Sequence, residues 1–101
     1  MTTKRSKEIN IHPSEILNDL LENENLTISD FSKLLKVSRI TVSKVMNKRG
    51  NITPNLAIRI AYVFGGNPDF WLRLQRKYDL IKAENEFNEF DELKQYEYCN
   101  V

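Results

Sequence analysis

The stretch LTISDFSKLLKVSRITVSKVMN, residues 26–47, contains two short amphipathic segments separated by three residues. A Thr and an Asp with capping-box spacing begin the first segment, which predicts a helix over Thr27–Leu35. The turn Lys36-Val37-Ser38 follows, and Ser38 is placed to cap a second helix over Arg39–Asn47. Two helices joined by so tight a turn can pack at a steep angle, as in a helix-turn-helix.

The second predicted helix separates into two faces at about 100° per residue. Its core side collects Val42, Val45 and Met46. The opposite side collects residues that can contact bases in the major groove of double-stranded DNA, namely Arg39, Ile40, Ser43, Lys44 and Asn47. Arg and Lys can reach guanine, Asn can pair with adenine, and Ile can touch a thymine methyl group. The residues that flank this helix are predicted to contact phosphates: Ser38, Lys48 and Arg49.

Charge is distributed unevenly along the chain, although its formal net charge is only +1. No acidic residue lies between Asp30 and Asp69, while that interval contains Lys33, Lys36, Arg39, Lys44, Lys48, Arg49 and Arg59. From Tyr78 onward, acidic residues outnumber Lys82 and Lys94. A solvated polar face would explain Lys44 and Asn47, but it does not predict an exposed Ile40 or the acid-free interval. We therefore expect DNA to be the partner of the basic region.

Helix-start signals recur along the rest of the chain. Pro13 precedes an apolar stripe, and Thr53-Pro54 and Asn67-Pro68 each combine a capping residue with a proline at the first helical position. No alternating strand pattern is present. The sequence therefore predicts an all-α, five-helix domain over residues 11–83. A flexible segment over 1–10 and an acidic, fraying tail over 84–101 are expected to flank it.

Apolar residues at helical spacing mark the expected core. In the first helix of the central pair, this stripe is Phe31, Leu34 and Leu35; in the fifth helix, it is Phe70, Leu74 and Tyr78. Phe70 and Trp71 could instead anchor a partner, since aromatic side chains dominate interface energetics. We favour the core for most of them and leave part of the fifth helix for a dimer contact.

Several functional classes receive no support from the composition. The single Cys99 and single His12 can form neither an intrachain disulfide nor a metal site, and we expect a reducing cytoplasm, no metal and no cofactor. His12, beside a proline, is expected to start a helix. No catalytic Ser-His-Asp or Cys-His pairing and no Gly-rich phosphate loop points to an enzyme. Neither a signal peptide nor a membrane span is predicted.

The central segment resembles the helix-turn-helix of phage-repressor-like XRE/Cro regulators. Within that group, the chain is most similar to HigA-type, or VapI-like, antitoxins. The similarity is carried by His12-Pro13, KRGNIT at 48–53, NLAIRIAYVFGG at 55–66 and NPDFWLRLQRKYDL at 67–80, and it covers about residues 11–83. The family usually has Gly at the position of Lys36, so this Lys is expected to have a positive φ. It often has Gly at the position of Lys48.

The resemblance implies a dimeric repressor that binds a palindromic operator of its own operon and neutralises a HigB-type ribonuclease toxin. The family's base-contacting positions fall on Arg39, Ile40, Ser43 and Lys44. A stand-alone transcriptional repressor without a toxin partner is the alternative.

The toxin is expected to bind away from the basic helix. A ribonuclease that binds a polyanion is expected to be basic itself, so the basic helix would repel it. Two locations remain open. One is the exposed side of the first helix, around Glu15, Asp19 and Glu22. The other is the acidic tail, whose interleaved aromatics could fold on a basic toxin or belong to a solubilising segment.

Overall fold

Five α-helices follow one another along the part of the chain that the computed structural model describes, residues 10–98. They are α1 (Pro13–Asn23), α2 (Ile28–Leu35), α3 (Arg39–Met46), α4 (Pro54–Phe64) and α5 (Pro68–Glu86), and a short 3-10 helix over Phe90–Glu92 comes last. No strand occurs among these residues. The prediction of an all-α, five-helix domain is confirmed. Residues 1–9, most of the predicted flexible segment, and Cys99 lie outside the described range.

Side-chain caps define the start of all five α-helices. The capping residues are His12, Thr27, Ser38, Thr53 and Asn67, and each accepts a hydrogen bond from a backbone N–H in the first turn. Such caps satisfy donors that have no partner inside the helix. The predicted capping box of α2 is present, and α1 has a second one between His12 and Glu15. Short helices such as α2 and α3 gain a well-defined start in this way.

The hydrophobic core gathers residues from all five α-helices around α3 and α4. Its buried members are Leu17, Leu21, Phe31, Leu35, Val42, Val45, Met46, Ile52, Leu56, Ala57, Ile60 and Trp71. The helix α3 packs against α1 and α2, while α4 packs against α2 and α5. This packing holds one face of α3 inside the domain and leaves the other face outside.

Two expectations about the core need correction. Leu34 is exposed, because the buried stripe of α2 is made by its neighbours Phe31 and Leu35. Phe70 is 41 % exposed, because the adjacent Trp71 occupies the buried position at the start of α5. The two aromatic rings meet edge to face, with centroids 5.1 Å apart.

The fifth helix continues beyond the boundary expected at residue 83 and ends at Glu86. Its buried Gln75 accepts a hydrogen bond from the Ile52 N–H at 2.8 Å and donates to Asn51 and Asp79. These bonds attach the loop after α3 to α5. The remainder of the described tail, residues 87–98, is exposed.

Candidate nucleic-acid interface

The helix α3 presents a polar and basic face away from the core. Val42 and Val45 are buried, whereas Arg39, Lys44 and Asn47 are exposed and Ser43 is half-buried. Ile40 is 68 % exposed, so its side chain is available for contacts outside the core. The structure therefore places all five predicted base-contacting residues on the outer face of α3, along its whole length.

The turn between α2 and α3 is held in a left-handed conformation. Lys36 has φ +59°, as expected for a position where the family usually has Gly. Its N–H and that of Val37 donate back to carbonyls of α2. Arg59 of α4 donates to the Leu35 carbonyl at 2.8 Å and also contacts the Lys36 carbonyl. This role of Arg59 could not be predicted from the sequence, because its partners are distant in the chain.

Hydrogen bonds at the two ends of α3 restrain three of the candidate residues. The Asn47 amide donates to the Ser43 hydroxyl at 3.2 Å, and Asn47 is the C-terminal cap of the helix rather than its last residue. The Ser38 hydroxyl accepts the Thr41 N–H at 3.1 Å and also contacts the Thr41 hydroxyl. Ser38 is thus primarily a capping residue. It lies at the N-terminal end of α3, where the helix dipole favours an anion.

The segment that follows α3 returns tightly against it. Lys48 has φ +62°, and the N–H groups of Arg49 and Gly50 both donate to the Lys44 carbonyl, at 2.7 and 2.9 Å. A Cβ atom added to Gly50 would lie 3.1 Å from the Lys44 Cβ. Gly50 therefore permits the close return that places Lys48 and Arg49, two predicted phosphate contacts, beside Lys44.

An acidic side chain from α1 reaches this edge of the surface. The Lys48 ammonium lies 3.5 Å from a carboxylate oxygen of Glu15, and both side chains are about half-exposed. The same carboxylate accepts the His12 N–H at 3.4 Å in the capping box of α1. Glu15, which the sequence placed with Asp19 and Glu22 on the exposed side of α1 as one possible toxin contact, thus links the start of α1 to Lys48.

His12 is buried at that junction. Its Nδ1 accepts the Ser14 N–H at 3.0 Å, and its ring packs edge to face on Tyr78. Burial lowers the pKa of His12 below its usual value of 6.5, and the nearby Lys48 charge lowers it further, against the opposing effects of Asp79 and Glu15. The neutral imidazole is the form that can accept the capping hydrogen bond. The expectation that His12 starts a helix is confirmed.

No group of three His, Cys, Asp or Glu residues within 10–98 is arranged to hold a metal ion. Across the same residues, none of the helices has the length and apolar character needed to cross a lipid bilayer.

Comparison with known proteins identifies the family to which the chain belongs. A helix-turn-helix family model matches residues 17–71. The chain is 31 % identical over 87 residues to antitoxin HigA-1 of Vibrio cholerae, covering 85 % of this chain and 82 % of the relative. It is 35 % identical over 77 residues to virulence-associated protein I of Dichelobacter nodosus, with 75 % and 71 % covered. The chain is a HigA-type member of the XRE helix-turn-helix family.

One similar protein of known structure was determined together with a promoter. The Pseudomonas aeruginosa antitoxin HigA, determined with the higBA promoter, superposes on this HigA-type chain with a TM-score of 0.71. The two are 31 % identical, and the match covers 81 % of this chain and 99 % of the other. At this level of identity, the similarity concerns the family as well as the fold. It agrees with the resemblance carried by residues 11–83.

Proposed function

We propose that this HigA-type protein binds a palindromic operator in its own operon as a homodimer and represses transcription. The observation that carries this proposal is the outer face of α3, where Arg39, Ile40 and Lys44 are exposed in a chain interval without any acidic residue. One helix of eight residues reaches only a few base pairs, so two half-sites are needed for specificity. The protein acts by binding and not by catalysis.

In this proposal, the residues on the surface have two different tasks. Arg39, Ile40, Ser43, Lys44 and Asn47 contact base edges, since they lie on the face that enters the groove. Ser38 at the start of α3, and Lys48 and Arg49 just beyond its end, contact phosphates on either side. Substitution in the first set changes sequence preference, whereas substitution in the second set changes affinity for every sequence.

The second partner that we propose is a HigB-type ribonuclease toxin, bound in the cytoplasm away from α3. The names of the antitoxin relatives support a toxin partner, and charge supports the location. A basic toxin would be repelled by the acid-free region around α3. The described tail beyond α5 exposes Phe90, Tyr96 and Tyr98 among acidic residues, while Glu15 of α1 is already paired with Lys48. These facts favour the tail over the N-terminal part of α1.

Two binding measurements test the proposed function. The purified protein is titrated against DNA from upstream of its own gene and against a scrambled duplex, and it is also co-expressed with the reading frame adjacent to its gene. We expect preferential binding to the upstream DNA and suppression of toxicity by a complex that co-purifies. Binding without any toxin partner would favour the stand-alone repressor, and equal binding to both duplexes would contradict operator recognition.

Truncation after Glu86 then tests the location of the toxin contact, since it leaves α5 intact. We expect the shortened protein to retain operator binding and to lose toxin binding. Unchanged toxin binding would contradict a role for the tail and direct attention to Asp19 and Glu22 on α1. Competition between operator DNA and toxin would contradict separate surfaces altogether.

A further inference from the structure

The tail beyond α5, residues 87–98, combines acidic and aromatic side chains. Its one basic residue is Lys94, and its acidic residues are Glu89, Asp91, Glu92 and Glu97. Aromatic side chains lie between these carboxylates, and Tyr96 and Tyr98 are 75 % and 78 % exposed. No residue between 87 and 98 is buried. The tail thus presents carboxylates and apolar rings that the core of the domain does not use.

The outer face of α3 is complementary to the tail in both respects. The exposed cations on this face and just beyond its end are Arg39, Lys44, Lys48 and Arg49. The exposed Ile40 lies among them and adds an apolar contact. Tail carboxylates can form charge-assisted hydrogen bonds with the cations, while a tyrosine ring can stack on the arginine or cover the isoleucine. Charge and apolar complementarity therefore coincide on one helix face.

A carboxylate of the protein already occupies one edge of this face. Glu15 lies 3.5 Å from the Lys48 ammonium, at a position where a DNA phosphate is proposed to bind. Within the described chain, no ion pair involves Arg39 or Lys44. The face thus accepts a carboxylate of its own chain at one cation and leaves others available for more.

The tail begins close enough to return to this face. The ring centroids of Tyr78 on α5 and His12 are 4.6 Å apart, and His12 and Lys48 both contact the Glu15 carboxylate. The end of α5 at Glu86 lies about 12 Å along the helix from Tyr78. An extended tail spans up to about 40 Å. This length suffices to reach Lys48 and to run along α3, which is itself about 12 Å long.

We propose that the tail docks on the outer face of α3 in the same chain and competes there with DNA, an inference that rests on the proposed operator binding. Single surface ion pairs are weak, so the docked and exposed forms of the tail exchange. Tethering offsets this weakness with an effective concentration on the order of millimolar. Because tail and DNA exclude each other from one face, docking lowers the affinity for every DNA sequence by the same factor. The same tail is the proposed toxin contact, so a toxin that holds the tail would leave α3 free for DNA.

A shallow groove on α5 is the competing location for the tail. It is lined by Phe70, Arg73, Leu74 and Lys77. Arg73 is already paired with Asp69 at 3.1 Å, and α5 carries further acidic residues along its length. Those acids repel the tail, whereas α3 lies in the acid-free interval from 31 to 68. Charge therefore favours α3 over α5 as the docking surface.

A spin label on Cys99, the single cysteine of the chain, tests docking without DNA. Amide relaxation is measured by NMR on the full-length protein at low and at high salt. We expect the label to broaden the amide signals of α3, and we expect the broadening to disappear at high salt and on addition of operator DNA. Broadening confined to the α5 groove at Phe70–Lys77, or to the end of α5, would overturn docking on α3.

Competition with DNA is measured with the triple tail variant Glu89→Gln, Asp91→Asn and Glu92→Gln. The matched control removes the same charge from exposed positions in and just after α1, and its changes are Asp19→Asn, Glu22→Gln and Glu24→Gln. We expect the tail variant to bind cognate and scrambled duplexes about three- to tenfold more tightly at low salt, with an unchanged ratio between them. The gain should vanish as salt is raised. An equal gain in the control would show that net charge, and not docking, is responsible.

The remaining outcomes separate tail docking from the proposed function. Selective operator binding without broadening of α3 would overturn docking and leave operator recognition intact. Broadening of α3 in a protein that binds cognate and scrambled DNA equally would support docking and contradict operator recognition. A mixture of spin-labelled protein with unlabelled, isotope-enriched protein reports contacts between copies. Broadening as strong in this mixture as in the labelled protein alone would overturn docking within one chain.

Discussion

The Lys48 ammonium lies 3.5 Å from the Glu15 carboxylate, although the two residues are 33 positions apart in the sequence. Lys48 follows the proposed recognition helix, and Glu15 belongs to the capping box of the first helix. A DNA phosphate that binds Lys48 must therefore compete with a carboxylate of the protein. The start of α1 is thereby linked to the edge of the proposed DNA-binding surface.

Replacing Glu15 with Gln is expected to strengthen binding to all DNA sequences alike. Gln at this position can keep the capping box, so the substitution removes the charge with little effect on the helix. Since exposed ion pairs contribute roughly 0.2–1 kcal/mol, we expect an affinity gain of about 1.4- to fivefold at low salt. The gain should shrink as salt is raised.

The control for this prediction is Glu22→Gln, which removes an exposed carboxylate from the other end of α1. Fluorescence anisotropy with cognate and scrambled duplexes measures both variants. An equal gain from the two substitutions would show that net charge, and not competition for Lys48, is responsible.

Replacing Gly50 with Ala is expected to weaken DNA binding more than it weakens the fold. The new methyl group would press on the Lys44 Cβ from 3.1 Å and push the return segment away from α3. Both Lys44 and the adjacent residues proposed to contact phosphates would shift, and displaced contacts lose hydrogen-bond geometry. We expect roughly a tenfold loss of operator affinity, about 1.4 kcal/mol, in titration of the variant.

Thermal unfolding provides the comparison for Gly50→Ala. A drop in unfolding temperature large enough to account for the lost binding would contradict the positioning role. Gly65→Ala is a useful counterpart, because it is strained by a positive φ but lies beyond α4, with open space around the added methyl group.

Acidification is expected to destabilise the protein through His12. The folded-state pKa of His12 lies below 6.5, mainly because of burial and also because of Lys48, while Asp79 and Glu15 act in the opposite direction. The unfolded chain therefore binds a proton first as the pH falls. The contribution of His12 is present above about pH 6.5 and is lost below it, towards the folded-state pKa.

Urea unfolding of the wild type and of His12→Asn at pH 7.5 and pH 5.5 measures this effect. Asn can cap a helix but does not titrate, so it keeps the hydrogen bond to Ser14 and removes the proton dependence. We expect the wild type to lose more stability than the variant over this interval. Parallel losses in both proteins would assign the pH dependence to other groups.

Local sequence rules predicted the helices and the face of α3 because those features depend on neighbouring residues. The caps at Thr27, Ser38 and Thr53 act within three positions, and the period of α3 follows from its own apolar residues. The positive φ of Lys36 could be expected from the family pattern. The exposure of Phe70 could not be predicted, since it depends on which of the two adjacent aromatic residues packs into the core.

The contacts that stabilise the site were beyond sequence reasoning for a different reason. Arg59 with Leu35, Gln75 with Ile52 and Lys48 with Glu15 are each more than twenty positions apart in the chain. Charged and amide side chains of this kind have many possible partners, so their pairing follows only from helix packing. The resemblance to HigA-type proteins supplied the family, but it did not supply these contacts.

The measurement that tests the central claim most directly is the ratio of cognate to scrambled-duplex affinity for Arg39→Ala, Lys44→Ala and Lys48→Ala. We predict that the first two variants lose about 1–3 kcal/mol per half-site against the operator and that the ratio collapses. Lys48→Ala should weaken both duplexes alike, preserve the ratio and flatten the salt dependence. The same ratio in all three variants, at the wild-type value, would contradict base recognition by the outer face of α3.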